Sequence, residues 1–222
     1  MAAALTGAEP VKVLLVTGGH DHDITFYGIF PDRSEMEINV NPHPRAFRGD
    51  MVKRYDVVVL YDMTEIDDPQ ERDALRKYLD AGKGLVALHH SIVSAQNWPW
   101  WHEEVLGGTY RQKADANGPA SKFQHDVDFQ ERPVAGHPVL KGIGPFEIHD
   151  EAYKDMWISP RVKVLLETDN PLNDKPMAWI GVHPKARVVY IELGHGREAH
   201  ENPVYRKLVS NAIHWAATGS VP

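Results

Sequence analysis

The 222-residue sequence contains no cysteine, which removes disulfide staples, thiolate metal sites and a cysteine nucleophile together. No stretch reaches the roughly 18 uninterrupted apolar residues that a bilayer-spanning helix needs, so no membrane partner is expected. Basic runs and basic–aromatic interleaving are also missing. With 24 Lys and Arg against 31 Asp and Glu, the formal net charge is -7, the wrong sign for holding a polyanion, so nucleic acid is not expected as a partner. The opening MAAALTGAEP has neither the basic start nor the long apolar run of a secretory signal. It reads as a flexible N-terminus over residues 1–10 of a cytoplasmic protein. Residues 11–219 carry no linker, internal repeat or low-complexity tract and read as one domain, long enough to bury a substantial core.

What the chain has in quantity is histidine, 13 in all, and most of them stand beside Asp, Glu, Gly or another His. Three groups directly follow apolar runs: LLVTGGHDHD at residues 14–23, GLVALHHS at 84–91 and YIELGHGREAH at 190–200. A chain that leaves its core and at once presents several ionisable side chains is placing chemistry at a strand end.

The runs VKVLLVTGG, YDVVVLYD, GLVALHHS and RVVYIELGH are nearly continuous in apolar, β-branched residues, the pattern of strands buried on both faces of a parallel sheet. VKVLLETD and MAWIGVH are further strands, and MEINVNP alternates more, as an edge strand does. Between YDVVVLYD and GLVALHHS, Asp68 as cap, Pro69 at the first helical position and Glu71 in the first turn start a helix. Leu75, Tyr78 and Leu79 give it a buried stripe and Gly82 ends it, which makes a strand–helix–strand unit. WPWWHEEVLGG reads as a second helix, and Asn202 with Pro203 opens a closing helix whose stripe is Val204, Leu208, Val209, Ala212, Trp215 and Ala216. Residues 110–155 break this rhythm. FQHDVDFQE and FEIHDEAY look like strands joined by a Pro- and Gly-rich turn segment, an antiparallel extension lying over one end of the sheet. The fold class is therefore α/β, an open and mostly parallel sheet with helices on both faces and an inserted antiparallel extension. In such sheets ligands bind outside the carboxyl ends of the strands, and topology brings the three histidine-bearing exits to that one edge.

Together LLVTGGHDHD, GKGLVALHHSIVSAQNWPWWHEEVLGGTY, HPVLKGIGPFEIHDEAY and RVVYIELGHGREAHENPVYRKLVSNAIHWAATG resemble the ThuA-like family of trehalose-utilisation proteins, over residues 12–219. The resemblance implies a flavodoxin-like fold related to the class I glutamine amidotransferases, and a place in sugar catabolism. Those amidotransferases hold a cysteine nucleophile at a strand–turn–helix elbow. The corresponding turn here is VALHHS, so the glutaminase chemistry does not carry over, whereas the geometry does, with His89, His90 and Ser91 at the reactive position. The sugar context implies action on oxidised (3-keto) glycosides.

Several residues are candidates for that site. Gly18 and Gly19 let the backbone turn sharply and approach a ligand, with His20 as a general base or metal ligand and Asp21 as its orienting partner. His89 and His90 diverge as neighbours in an elbow, so one faces the pocket while the other packs beneath it. Ser91 lacks the G-x-S-x-G frame of a hydrolase nucleophile and is read as substrate-binding. In EIHDEAY, alternation sends His149 and Glu151 to one face and Asp150 to the other. The resemblance makes Glu151 the acid/base partner, with Asp150 beside it as an acceptor of sugar hydroxyls. His195 stands between two glycines that offer little to pack against, which favours a catalytic role, and Arg197 either binds a substrate oxygen or pairs with Glu198 or Glu201. Trp98 is a candidate stacking wall for a sugar ring, and His125, with Asp126 and Asp128, can reach the rim from the extension.

Such a set supports two chemistries. Histidines with carboxylates can move protons on a carbohydrate, or they can bind a divalent metal such as zinc and act as a hydrolase. No H-E-x-x-H motif decides between them, and the glycine turn undermines His20 and His22 as a ligand pair on one strand. A non-catalytic sugar-binding module is a third reading. A small-molecule carbohydrate is the expected partner, and an exposed edge strand is compatible with a homodimer.

Overall fold

The computed structural model describes residues 9–30, 34–116, 118–134 and 136–222; the first eight residues of the expected flexible start lie outside them. Strands β1 (Val11–Gly18), β2 (Met36–Val40), β3 (Val57–Asp62) and β4 (Gly84–Leu88) pair in parallel in the order β2-β1-β3-β4. In β3, Val57, Val59 and Tyr61 enter the core on one face of the sheet and Val58 and Leu60 the core on the other. Both faces are covered, which is why the run shows no polar alternation.

A single turn, α1 (Met51–Arg54), precedes β3, and α2 (Pro69–Asp80) crosses from β3 to β4. The Asp68 carboxylate accepts the Gln70 N–H at 2.8 Å, Pro69 fills the first position, and Gly82 takes φ +79° past the end. Leu75, Tyr78 and Leu79 bury the α2 stripe against one face of the sheet. The expected WPWWHEEVL helix is α3 (Pro99–Trp101) running into a wider π-type turn, His102–Leu106, which Gly107 stops at φ +72°.

The second half of the chain contributes β5 (Gly108–Thr109), β6 (Lys122–Pro133), β7 (Phe146–Lys154), β8 (Trp157–Ile158), β9 (Lys163–Thr168), β10 (Pro176–Ile180) and β11 (Arg187–Ile191). β5 and β8 form a small ribbon of their own. β11 pairs in parallel with β4, and the sheet continues antiparallel through β10, β9, β6 and β7. The extension over residues 110–155 is thus continuous with the main sheet at its edge, because β6 pairs directly with β9. Four antiparallel pairings separate β11 from β7, so the two run in the same sense. Their later ends meet: the Gly194 N–H donates to Asp150 Oδ2 at 2.6 Å and the Tyr153 N–H to Glu192 Oε1 at 3.3 Å.

The chain closes with α4 (Arg197–Glu201) and α5 (Pro203–Thr218). The Asn202 side chain accepts the N–H groups of Val204 and Tyr205, and Leu208, Val209, Ala212, Ile213 and Ala216 pack on the face opposite α2. Each large aliphatic side chain buried there contributes about 1.5–3 kcal/mol. Among the described residues, no helix is long and apolar enough to cross a membrane.

Candidate active site

β1, β4 and β11 end at the same edge of the sheet, with Ile191 level with Leu88. The three histidine-bearing exits meet there. The His20 ring stacks on His90 at 4.7 Å, His89 meets His195 edge-on at 5.1 Å, and His20 and His195 are 6.1 Å apart.

His89 stands at the point where β4 breaks into a 3-10 turn, and its backbone takes φ +48°. A side chain other than glycine is rarely held in that region, and such strain concentrates where a reactive group must be aimed. The ring is fully buried. Its Nδ1 lies 2.7 Å from the Glu192 carbonyl oxygen. A carbonyl can only accept, so Nδ1 carries a proton and Nε2 faces the cluster. Around Nε2, at 3.1 Å each, are Glu151 Oε2, His195 Nδ1 and the Tyr153 hydroxyl.

Glu151 is the hub. Its carboxylate is 6% exposed, and its Oε1 meets His125 Nδ1 at 3.0 Å, while Oε2 meets His89 at 3.1 Å and His195 Nδ1 at 3.5 Å. Cross-strand pairing explains the arrangement. A register shift between Gln124 and Val127 in β6, with Asp126 at φ +58°, frees His125 to turn toward Glu151 on β7. Asp126 and Asp128 instead pair with His149 on the outside, at 3.6 and 2.7 Å.

The charges follow from these contacts. Burial opposes protonation of His89, but the contact with Glu151, the Asp150 and Glu151 charges and the Glu192 carbonyl outweigh it and raise its pKa. Burial likewise opposes ionisation of Glu151, yet the hydrogen bond and charge of His89 hold its pKa below the ordinary value. Both shifts describe one ion pair. His195, 30% exposed, is driven the other way: burial and the His89 charge lower its pKa, so it is neutral at pH 7.

His90 differs sharply from its neighbour. It is 3% exposed, both ring nitrogens lack a hydrogen-bond partner among the described residues, and burial together with the surrounding histidines pushes its pKa down to about 2. It is a neutral ring sandwiched between His20 and Tyr61. Of the elbow pair, His89 therefore engages the cluster and His90 packs beneath His20. His20 itself is half-buried, with Nδ1 2.5 Å from the Asp21 backbone oxygen.

The remaining expected residues fall into two groups. Asp150 belongs to the site through the backbone: its carboxylate accepts the N–H groups of Gly194, His195 and Glu151, a positioning role in place of the expected sugar contact. Gly19 takes φ +80° and lies so close to the Met63 carbonyl that a Cβ would sit 1.9 Å from its oxygen. The structure places four others elsewhere. Ser91 is fully buried, its hydroxyl accepting the Asp62 N–H at 3.1 Å to tie β3 to the turn. Trp98 is buried among Trp100, Trp101, Arg72 and Arg76 on the α2 face, where it serves as packing. Arg197 is exposed and pairs with Glu201 at 3.5 Å, and the Asp21 side chain points to solvent. The cap of the following turn is Asp23, which accepts the Thr25 N–H at 2.8 Å.

Tyr153, Tyr61 and the Glu192 carbonyl escaped the sequence reading. Tyr153 stacks on His89 at 5.1 Å, and the Tyr61 hydroxyl donates to the Gly194 carbonyl at 2.6 Å below the His195 turn. Position i+2 from Glu151 was a signal for Tyr153, since it shares that strand face. A cavity of about 740 Å³ is lined by Gln96, Thr109, Arg111, Lys113 and Trp157 and by none of the cluster residues. Tyr110, between two of its lining residues in sequence, packs its ring on Tyr153 at 5.2 Å.

Known structures share this architecture. A putative ThuA-like protein from Parabacteroides merdae superposes with a TM-score of 0.83 at 19% identity, over 96% of this chain and 91% of that one. Another from Bacteroides uniformis gives 0.75 at 21% identity over 100% and 99%. A putative GMP synthase protein from Thermoplasma acidophilum gives 0.57 at 10% identity over 95% and 96%, in line with a glutamine amidotransferase-like fold. No match is found among curated protein sequences. The family model for ThuA, described as trehalose utilisation, matches residues 12–216, and the chain belongs to that family.

Proposed function

We propose that this chain is an enzyme of carbohydrate metabolism that moves a proton on a sugar or an oxidised (3-keto) glycoside, with His195 as base and Glu151 as the carboxylate that steadies it once protonated. The observation that carries this reading is the buried Glu151 carboxylate, with ring nitrogens of His125, His89 and His195 at 3.0, 3.1 and 3.5 Å. His195 turns Nδ1 inward to Glu151 and His89, which leaves Nε2 for a ligand. A neutral imidazole is suited to taking a proton from a carbon beside a carbonyl. The C–H electron pair moves toward the carbonyl as an enediolate forms, and the new imidazolium faces the Glu151 charge. His89, held by the Glu192 carbonyl, fixes the carboxylate in place. The trehalose-utilisation family supports a sugar as substrate, and a keto group supplies the acidic C–H this chemistry needs. The reading includes a small-molecule carbohydrate as partner and the cytoplasm as location.

The test is solvent deuterium exchange into a 3-keto disaccharide, followed by proton NMR. Wild-type protein is expected to exchange the hydrogen beside the carbonyl. His195→Gln and Glu151→Gln are each expected to slow exchange by about 10²–10⁴-fold while retaining binding. The rate should fall on acidification with a midpoint below the ordinary histidine value, because His195 must be neutral. Binding without exchange in the wild type would turn the reading into a sugar-binding module.

A further inference from the structure

We propose that His89 Nε2, His195 Nδ1 and Glu151 Oε2 form a binding site for one divalent cation of the zinc class, taken up in place of the proton these atoms otherwise share. It rests on the reading that this cluster is the reactive site.

Proton bookkeeping comes first. The Nδ1 proton of His89 is committed to the Glu192 carbonyl, so Nε2 presents a lone pair in the neutral ring. That lone pair faces a carboxylate oxygen at 3.1 Å and the Nδ1 of a second imidazole, also at 3.1 Å. One proton on Nε2 satisfies one of these neighbours. A single cation engages His89 Nε2, Glu151 Oε2 and His195 Nδ1 at once, with the Tyr153 hydroxyl, also 3.1 Å from Nε2, standing beside them.

The dimensions agree. The three donors form a triangle with sides of 3.1, 3.1 and 3.5 Å. Zinc with bonds of about 2.05 Å in a tetrahedron requires ligand–ligand edges of about 3.3 Å. Two histidines and one glutamate leave the fourth position open, the donor set of a reactive rather than a structural zinc site. Two imidazoles also disfavour magnesium and calcium, which take oxygen ligands.

The supporting contacts are those a metal site uses. A ligating histidine normally passes its other N–H to a carbonyl or carboxylate, as His89 does to Glu192. The His195 backbone N–H is clamped by Asp150 at 2.9 Å, and Glu151 keeps its second oxygen on His125 at 3.0 Å. His195 and His125, 30% and 53% exposed, mark the side from which an ion enters. With the ion bound, His195 Nδ1 is committed to ligation, and proton pick-up from the substrate passes to His125.

The experiment is calorimetric titration of the full chain, stripped with a chelator, with zinc alone, beside cobalt(II) titration read by visible absorption. Wild type is expected to take up one ion per chain, with cobalt showing the intense d–d bands of a tetrahedral site. Glu151→Gln and His195→Gln, checked for folding by circular dichroism, are each expected to weaken uptake about a hundredfold or more. His149→Ala, which opens the surface cluster with Asp126 and Asp128, is expected to bind as wild type does. Absence of one-to-one uptake, uptake undiminished in both cluster variants, or loss in His149→Ala would each overturn the site. Deuterium exchange on stripped and zinc-loaded protein separates the two ideas. Exchange with no uptake keeps the acid–base reading and overturns the ion site. Uptake with no exchange keeps the ion site and overturns that reading.

Discussion

Asp150 holds the backbone of His195 in place: its Oδ1 accepts the His195 N–H at 2.9 Å while its Oδ2 accepts that of Gly194 at 2.6 Å. One buried carboxylate thus ties the later part of β7 to the turn that follows β11, across a sheet in which three strands lie between them. Burial raises the Asp150 pKa, and the His89 charge and three backbone amides work against that rise. In Asp150→Asn, one oxygen becomes an NH₂ group that can only donate, facing a backbone donor. The variant is expected to lose about 1–3 kcal/mol of stability, the cost of a buried group left unpaired. It is also expected to slow deuterium exchange, although Asp150 is a positioning residue and need touch no substrate. Urea unfolding and the exchange assay check this, and an unchanged midpoint with unchanged exchange would show that Asp150 does not hold the His195 turn.

The pH dependence of stability should carry two opposed limbs, from His90 and Glu131. His90 titrates at about 2 in the fold against an ordinary 6.5, because burial and the neighbouring histidines exclude its charge. Its contribution is complete above pH 6.5 and is lost as pH falls toward 2. Glu131 is fully buried with neither oxygen hydrogen-bonded among the described residues, and burial with the nearby Asp150 charge pushes its pKa up to about 8 from 4.5. Its contribution is complete below pH 4.5 and is lost as pH rises through 8. Each limb has a slope of about 1.4 kcal/mol per pH unit, and between 4.5 and 6.5 the two oppose each other. Relative to wild type, His90→Phe should flatten the acid limb and Glu131→Gln the alkaline one. Urea midpoints collected across the pH range decide it; parallel curves for variant and wild type would refute the assignment.

How far the sequence reveals this site depends on how local each signal is. The exits after β1, β4 and β11 are legible because both-face burial leaves a continuous apolar run, and a parallel sheet sends all such runs to one edge. His89 as the aimed member of its pair is not legible, since its φ of +48° depends on the turn after β4. Glu151 was separable from His149 only by the tertiary path of β7. Alternation puts both on one face, but only Glu151 reaches His89 and His195, while His149 is left outside with Asp128. The shift in β6 that delivers His125 is likewise a register property, set by pairing rather than by composition. Trp98 misleads for the opposite reason. An aromatic beside a turn has the same local sequence whether it stacks on sugar or on Arg72 and Arg76.

Gly19 gives the sharpest steric prediction. Two successive glycines, at φ +123° and +80°, carry the chain from β1 to His20. The second passes against the backbone leaving β3, where an added Cβ would lie 1.9 Å from the Met63 oxygen and 2.6 Å from its carbonyl carbon. Those are backbone atoms held by the sheet, with the Met63 N–H donating to the Gly18 carbonyl at 2.8 Å, so no side chain can swing aside. Gly19→Ala must therefore move the turn, in addition to the 1–3 kcal/mol typical of a side chain held at positive φ. The displacement falls on His20, whose ring covers His90. The variant is expected to be destabilised by at least about 2 kcal/mol, by urea unfolding, and to become more reactive toward a histidine-modifying reagent at His90, by peptide mass spectrometry. A Gly18→Ala control separates strain from contact: its φ is also positive, yet the nearest atoms its Cβ would meet are the His43 Cβ and backbone N at 3.4 Å, an ordinary contact. If the close approach to Met63 governs, Gly19→Ala is the more damaging of the two and uncovers His90 further. Equal losses from both variants would mean that backbone strain alone fixes the turn, and that the approach of β1 to β3 at this point plays no part in holding His20 over His90.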